Sequence, residues 1–195
     1  MMDFSKKRVL IIDDSPAMCS SLRNTLSNFG ISRCETSNSG NEAVFRIRQR
    51  AFDIIVCDYC LGEGSDGQQI LEQLRRGGLI PPSVAFLMVT AERGYEKVVS
   101  CAELAPDDYL LKPFTAETMR LRLERVFEKK ATFALIYELL DKGNAVDAIL
   151  ECDRLLALKS KFTIDLIRMK GELLISLDRH EEARVLYEQV IAAFQ

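Results

Sequence analysis

Short apolar runs alternate with amphipathic patterns through the first two thirds of this chain. Three of the runs are continuously apolar and rich in β-branched residues, which favours strands buried on both faces, as in a parallel sheet. A more polar run fits an edge strand, and a short run after a turn at residues 105–107 fits a fifth strand. The predicted strands lie at residues 8–13, 32–37, 54–57, 84–89 and 108–111.

Between these strands, apolar residues recur at the three- and four-residue spacing of a helix face. Ser15 and Pro16 are typical of a helix start, and Gly30 is typical of a helix end. The predicted helices begin at Ser15, after Gly40, at about Gly67, at about Tyr95 and at Thr115. Strands that alternate with helices in this way predict an α/β fold, a doubly wound five-stranded parallel sheet with helices on both faces.

The pattern changes after the charged residues 128–130, because only helical periodicity follows. Four helical segments form two similar units, in which Ala148 and Ala183 lie 35 residues apart. A period near 34 residues of paired helices is typical of tetratricopeptide repeats. Gly171 matches the small residue at which the two helices of such a repeat touch, whereas the first unit has Ile136 there. The predicted domains are the sheet domain at residues 1–130 and an all-α helical-hairpin repeat domain at residues 131–195.

The last predicted helix carries an apolar face that extends from Ala183 to Phe194. Two repeats are fewer than such an array usually needs to bury its core. An uncovered apolar face is also unusual in a soluble monomer. We therefore expect either further repeats after Gln195 or a second copy of the chain to cover this face.

Composition limits the classes of partner. Hydrophobic residues make up 48% and charged residues 28% of the chain, which is the range of ordinary globular proteins. The net charge is -3, and residues 131–195, with 8 basic and 11 acidic side chains, account for all of it, which argues against nucleic-acid binding. No run is as apolar and long as a membrane span, and the N-terminus lacks the apolar segment of a signal peptide. The six scattered cysteines are typical of free thiols, so we expect a cytoplasmic protein.

Polar side chains follow the predicted strands at the edge where open α/β folds bind their ligands. Asp13 and Asp14 follow the first strand and Asp58 follows the third. Thr90 and Lys112 follow the fourth and fifth strands. Three converging carboxylates repel one another unless a hard cation neutralises them, and Mg²⁺ suits such oxygen ligands. A metal-bound carboxylate can attack phosphorus, while a hydroxyl and an ammonium hold the phosphoryl oxygens.

An acid pair, a single Asp, Thr-Ala and Lys-Pro with an aromatic three residues before the lysine occur here in that order at strand ends. Together these motifs resemble the receiver domain of two-component response regulators, and the resemblance covers residues 8–127. It implies a flavodoxin-like fold in which Asp58 accepts a phosphoryl group. The chain would then be a phosphoacceptor that depends on Mg²⁺ for its own phosphorylation and dephosphorylation, and not an enzyme in the wider sense.

The resemblance also implies roles for the surrounding residues. The implied Mg²⁺ ligands are Asp14, Asp58 and the backbone carbonyl of Cys60, with Asp13 contributing through water. The implied phosphoryl contacts are Thr90 and Lys112, and the implied switch aromatic is Tyr109. The Lys112–Pro113 peptide bond is expected to be cis. Leu61 and Gly62 depart from the Met-Pro that is commonest in the family, and the loop has one extra residue before Gly67.

A receiver implies partners on both sides of the phosphorelay. A sensor histidine kinase or a phosphotransfer protein would phosphorylate the chain. Phosphorylation would change the face made by the fourth helix, the fifth strand and the last receiver helix, which leads into the repeats. We expect the output to be a protein–protein interaction through the helical repeats, with no nucleic-acid or membrane partner.

Other functions fit these residues less well. A Mg²⁺-dependent phosphatase with an Asp nucleophile would need a second acid at the position of Cys60, and a scaffold with a silent receiver would not need the complete acceptor set. Cys57 and Cys60 form a C-x-x-C pair, but a redox pair usually opens a helix, and zinc would need a second ligand pair. His180, the single histidine, lies in a turn and fits a surface residue.

Overall fold

The computed structural model describes residues 2–62, 66–91 and 105–193. The chain divides into two compact units, Met1–Glu128 and Lys129–Gln195. Each unit is described separately below.

A parallel sheet of five strands forms the centre of the first unit. Its strands, in chain order, are β1 Arg8–Ile12, β2 Arg33–Ser37, β3 Ile54–Asp58, β4 Ala85–Thr90 and β5 Asp108–Leu111. They are arranged as β2-β1-β3-β4-β5, and every pair is parallel. The predicted doubly wound sheet is thus confirmed, with the more polar β2 at an edge. The helix predicted at residues 95–104 lies outside the described residues.

The helices begin at the residues whose side chains can cap them. The helices of the first unit are α1 Pro16–Ser27, α2 Gly40–Gln49, α3 Gly67–Arg76 and the start of α4 Ala116–Asp141. The Ser15 side chain accepts a hydrogen bond from the Met18 amide, and Asp66 and Gln69 form a reciprocal capping box at α3. Ser15 caps α1 three residues after the end of β1, and Asp66 caps α3, the helix that follows β3.

Two apolar clusters cover the two faces of the sheet, because successive strand residues point to opposite sides. One cluster contains Ile12, Ile55 and Met88 together with residues of α2 and α3. The other contains Ile11, Val56 and Val89 together with residues of α1 and α4. Burial on both faces accounts for the continuously apolar strands and leaves the strand ends as the place for polar groups.

The residues before β1 also belong to the core, which the sequence patterns did not indicate. Phe4 is 1% exposed and its ring lies 5.9 Å from that of Phe127 on α4. Lys7 lies 4.9 Å from the centre of the same ring and forms an ion pair with Asp53. The N-terminal segment therefore packs against α4 at Phe127.

Helix α4 runs without a break from Ala116 to Asp141. The predicted last receiver helix and the first predicted C-terminal segment are consequently one helix, and the charged residues 128–130 lie within it. Charged side chains at these positions are compatible with an uninterrupted helix because lysine and glutamate are good helix formers.

The second unit contains only helices in its described part. After α4 come α5 Ala145–Ala157, α6 Thr163–Ser176 and α7 His180–Ala193, and each packs against the next. Phe133, Ile136, Cys152 and Leu166 are buried in its main cluster. Among the described helices of the chain, none is long and apolar enough to cross a membrane.

Candidate functional site at the carboxyl edge of the sheet

Three carboxylates meet where β1 and β3 end. Ile12 and Cys57 are paired in register, so Asp13, Asp14 and Asp58 follow or end neighbouring strands. One carboxylate oxygen of each residue lies within 4.8 Å of those of the other two. Asp13 is buried, Asp58 is half-buried and Asp14 is exposed. The sequence-predicted acids are therefore brought together, with different access to solvent.

Asp13 is the most constrained of the three. Its Oδ1 accepts a hydrogen bond of 2.9 Å from the Ser15 amide. Its Oδ2 is buried without a hydrogen-bond partner in the described part of the chain. Burial raises the pKa of the Asp13 carboxyl, and the neighbouring Asp58 and Asp14 raise it further, while the Ser15 amide and Lys112 oppose the shift. A buried oxygen in an acidic, all-oxygen cluster is what a hard divalent cation would satisfy.

Lys112, directly after β5, provides the positive charge at this edge. Its Nζ lies 2.9 Å from Asp58 Oδ2 and 3.8 Å from Asp13 Oδ2. Its backbone amide donates a hydrogen bond of 2.7 Å to the Thr90 carbonyl, which links the ends of β4 and β5. The Lys112–Pro113 peptide bond is cis, as the resemblance to receiver domains implies.

The other predicted site residues lie on strands of the same sheet or shortly after them. Thr90 is the last residue of β4 and is buried. Tyr109 lies on β5 opposite Met88, is half-buried and packs against the cluster on the α2 and α3 side of the sheet. Cys60, two residues after β3, has an exposed side chain and forms an isolated bridge with Asp66.

Cysteine and histidine positions bear on the alternative chemistries. Cys57 is fully buried, and burial followed by the charge of Asp58 raises the pKa of its thiol far above the usual range. A thiol held protonated in this way is a poor redox nucleophile, which supports the interpretation of Cys57 as a core residue. The His180 side chain is exposed at the start of α7.

Two glycines occupy backbone positions beside the acidic site that a side chain would disturb. A Cβ on Gly67 would lie 2.5 Å from the Asp58 carbonyl oxygen and 2.7 Å from Met88 Sδ, so α3 can begin there only without a side chain. Gly62 has a φ of +56°. Proline cannot adopt that angle, so the loop of this chain follows a different path from one with Met-Pro at these positions.

A cavity of about 250 Å³ adjoins Asp13 and Asp14, and the sequence patterns did not indicate it. Cys19, Ser20 and Arg23 of α1 line it. The Cys19 thiol donates a hydrogen bond of 3.4 Å to the Asp13 carbonyl oxygen. Helical spacing predicts that α1 has an outer and an inner face, but not that its first turns border the acidic site.

Comparison with known proteins gives a consistent result. The profile of the response regulator receiver domain matches residues 9–124. Chemotaxis protein CheY-3 of Vibrio cholerae is 29% identical over 122 residues, which are 63% of this chain and 92% of that protein. Chemotaxis protein CheY of Pseudomonas aeruginosa is 28% identical over 122 residues, or 63% of this chain and 97% of that protein.

Solved structures agree with the fold. The chemotaxis response regulator CheY4 of Vibrio cholerae is 28% identical, with a TM-score of 0.55 over 62% of this chain and 98% of that chain. A sensor protein from Polaromonas sp. JS666 is 24% identical, with a TM-score of 0.57 over 64% of this chain and 98% of that chain. These similarities concern the first unit, and the helices of the second unit lie outside the profile match.

Proposed function

Because this chain belongs to the response regulator receiver domain family, we propose that it acts in a two-component phosphorelay as a phosphoacceptor, with Asp58 as the acceptor. The observation that carries this proposal is the contact of 2.9 Å between Lys112 Nζ and Asp58 Oδ2 beside two further carboxylates. Nucleophile, acids and ammonium lie within reach of one phosphoryl group in this arrangement.

The transfer step is a substitution at phosphorus. A carboxylate oxygen of Asp58 forms a bond to the phosphorus of a phosphohistidine, the P–N bond breaks, and the leaving imidazole takes a proton from solvent. Lys112 would exchange its contact with Asp58 Oδ2 for one with a phosphoryl oxygen. Thr90, buried at the end of β4, would supply the hydroxyl contact. Tyr109 would respond as the switch aromatic on β5.

The acidic cluster fits the Mg²⁺ that receiver domains bind. Asp13, Asp14 and Asp58, with the backbone carbonyl of Cys60, would hold the ion. The Oδ2 of Asp13 supports this assignment. It accepts no hydrogen bond from the described residues, and the Lys112 Nζ with which it forms an ion pair lies 3.8 Å away. The ion would supply charge neutralisation between the carboxylates and the incoming phosphoryl group.

The partners follow from the same proposal. A sensor histidine kinase or a phosphotransfer protein of the cytoplasm would be the phosphodonor. The helices α5 to α7 would carry the output to another protein as tetratricopeptide-like repeats, or would join two copies of the chain. The fit of Tyr187 over Gly171 supports the repeat assignment, because a side chain on Gly171 would overlap the Tyr187 hydroxyl group.

Phosphorylation can be tested with a small phosphodonor and intact mass. The full chain incubated with acetyl phosphate and Mg²⁺ should gain the mass of one phosphoryl group, and Asp58→Asn should not. Asp178→Asn, at an exposed position in the second unit, is the matched control and should gain the mass normally. A persistent gain in Asp58→Asn, or a gain that survives EDTA, would contradict the proposal.

A further inference from the structure

Gly62 lies against the acidic cluster at a position where a side chain would touch a carboxylate. A Cβ built on Gly62 would lie 3.0 Å from Asp14 Oδ2 and 4.0 Å from Asp14 Cγ. A separation of 3.0 Å is tighter than nine in ten real Cβ contacts, so one of the two groups would have to move by a few tenths of an ångström. The bare backbone of Gly62 thus leaves Asp14 the space that it occupies.

Asp14 is the group that would move. Its side chain is exposed and ends in a rotatable carboxylate, whereas Gly62 is held by its backbone at a φ of +56°. Rotation of an exposed side chain is easier than displacement of backbone, so the fold would tolerate a small residue at this position. The change would instead appear in the position of one oxygen of the acidic cluster.

The position of that oxygen matters differently for different cations. Mg²⁺ requires a nearly ideal octahedron of oxygens, whereas Ca²⁺ accepts longer and more variable distances. We propose that Gly62 is a positioning residue for Asp14, and that the missing side chain makes the cluster selective for Mg²⁺ over Ca²⁺. This inference rests on the proposed function only in assuming that the cluster binds a divalent cation.

A second glycine supplies the matched control. Gly78, in the first unit, has a φ of +61° and nothing within 4 Å of a built Cβ. Alanine at either position therefore suffers the same conformational penalty of the left-handed region. Only alanine at Gly62 also presses on Asp14, so the difference between the two variants reports the contact.

Calorimetric titration of the full chain with Mg²⁺ alone and with Ca²⁺ alone, without phosphodonor, tests the inference. Gly62→Ala should raise the Kd for Mg²⁺ about tenfold, the low end of what changes next to metal ligands cost, and the Kd for Ca²⁺ clearly less. Gly78→Ala should leave both constants at the wild-type value, and both variants should melt at the same temperature in EDTA. Gly62→Asn, which tolerates a positive φ better and presents the same Cβ, should reproduce the altered ratio.

The outcomes separate this inference from the proposed function. If Gly62→Ala matches Gly78→Ala, Gly62 does not position Asp14, and if it weakens Mg²⁺ and Ca²⁺ equally, the selectivity is wrong; either result overturns the inference while phosphorylation at Asp58 stands. If the unmodified chain binds no Mg²⁺, both the positioning role and the metal site are wrong. A changed ratio in Gly62→Asn with an intact melting transition supports the inference even if Gly62→Ala fails to fold.

Discussion

At the scale of single residues, the site is short of positive charge. Three carboxylates lie within 4.8 Å of one another, and Lys112 is the ammonium that contacts Asp58 and approaches Asp13. The raised pKa of Asp13 has the same origin, burial beside two like charges. The carboxylates repel one another in the folded protein, and a bound cation would relieve this repulsion. The residues that serve the site therefore lower the stability of the metal-free protein.

Asp13→Asn should therefore stabilise the metal-free protein. Two unit charges at this separation repel by about 1 kcal/mol at the dielectric constant of water and by about 3 kcal/mol at the effective dielectric constant near a protein surface. The amide keeps an acceptor for the Ser15 amide and can donate to a neighbouring carboxylate. The free energy of unfolding from urea titration in EDTA at neutral pH should rise by this amount. Added Mg²⁺ should then raise it much less than it does in the unmodified chain.

The exposed neighbour provides the control for this prediction. Asp14→Asn removes a charge from the same cluster, but water already screens that carboxylate, so its gain in EDTA should be smaller. A lower midpoint for Asp13→Asn than for the unmodified chain would show that the carboxylates do not repel in the folded state.

At the scale of elements, packing between helices depends on single small residues as much as on apolar faces. Gly171 on α6 is buried, and the Tyr187 ring on α7 occupies the space where its side chain would be. Ala183 is buried in the cluster formed with Leu174. The 12-residue offset between Gly171 and Ala183, visible in the sequence, thus corresponds to contacts in one helix pair.

Gly171→Ala should destabilise the second unit, although alanine is the better helix former. Overpacking of this kind costs about 1–3 kcal/mol, which exceeds the gain of about 1 kcal/mol from replacing glycine within a helix. In a Tyr187→Ala background the obstruction is gone, so the same change should become stabilising. Urea unfolding followed by circular dichroism measures both effects.

The reversal of sign identifies the contact between Gly171 and Tyr187. The change in helix propensity is the same in both backgrounds, and the lost tyrosine packing is common to both variants of the second background, so neither contributes to the difference. Equal effects of Gly171→Ala in the two backgrounds would mean that Tyr187 does not pack over Gly171 in solution.

At the scale of the whole molecule, the two units present different surfaces. In the first unit the strands are buried and the exposed large apolar side chains include Phe45 and Leu121 on helices, whereas the described helices of the second unit expose a larger set. Ile191 on α7 is 60% exposed beside the half-buried Tyr187 and Val190. An apolar surface of this kind is typical of an interface.

We expect the 195-residue chain to self-associate through this face of α7. Ile191→Glu should lower the average mass in light scattering toward that of one chain at concentrations where the unmodified protein is larger, because a charge there would be buried on association. Val185→Glu is the control, because Val185 is also exposed, at 41%, but lies roughly 120° around the helix from Ile191.

Equal masses for the unmodified chain and Ile191→Glu at high concentration would contradict self-association through this face. A loss of mass in both variants would point to a contact on the other side of α7.

Local chemistry alone determined much of this protein. Strand positions, helix caps at Ser15 and Thr115, and the order of polar residues at strand ends are encoded in neighbouring residues, since they depend on periodicity, φ preferences and side-chain hydrogen bonds. For that reason the parallel sheet and the strand-end positions of the predicted acids could be derived from the sequence.

Only the tertiary structure decided what depends on distant contacts. No local pattern predicts the different burial of the adjacent acids Asp13 and Asp14. Asp13 is 2% exposed and Asp14 lies in solvent, because neighbouring strands and Lys112 enclose only Asp13. Phe4 became core because Phe127, 123 residues away, covers it. The approach of Gly62 to Asp14 likewise joins two loops, and no local pattern encodes a distance between residues 48 positions apart.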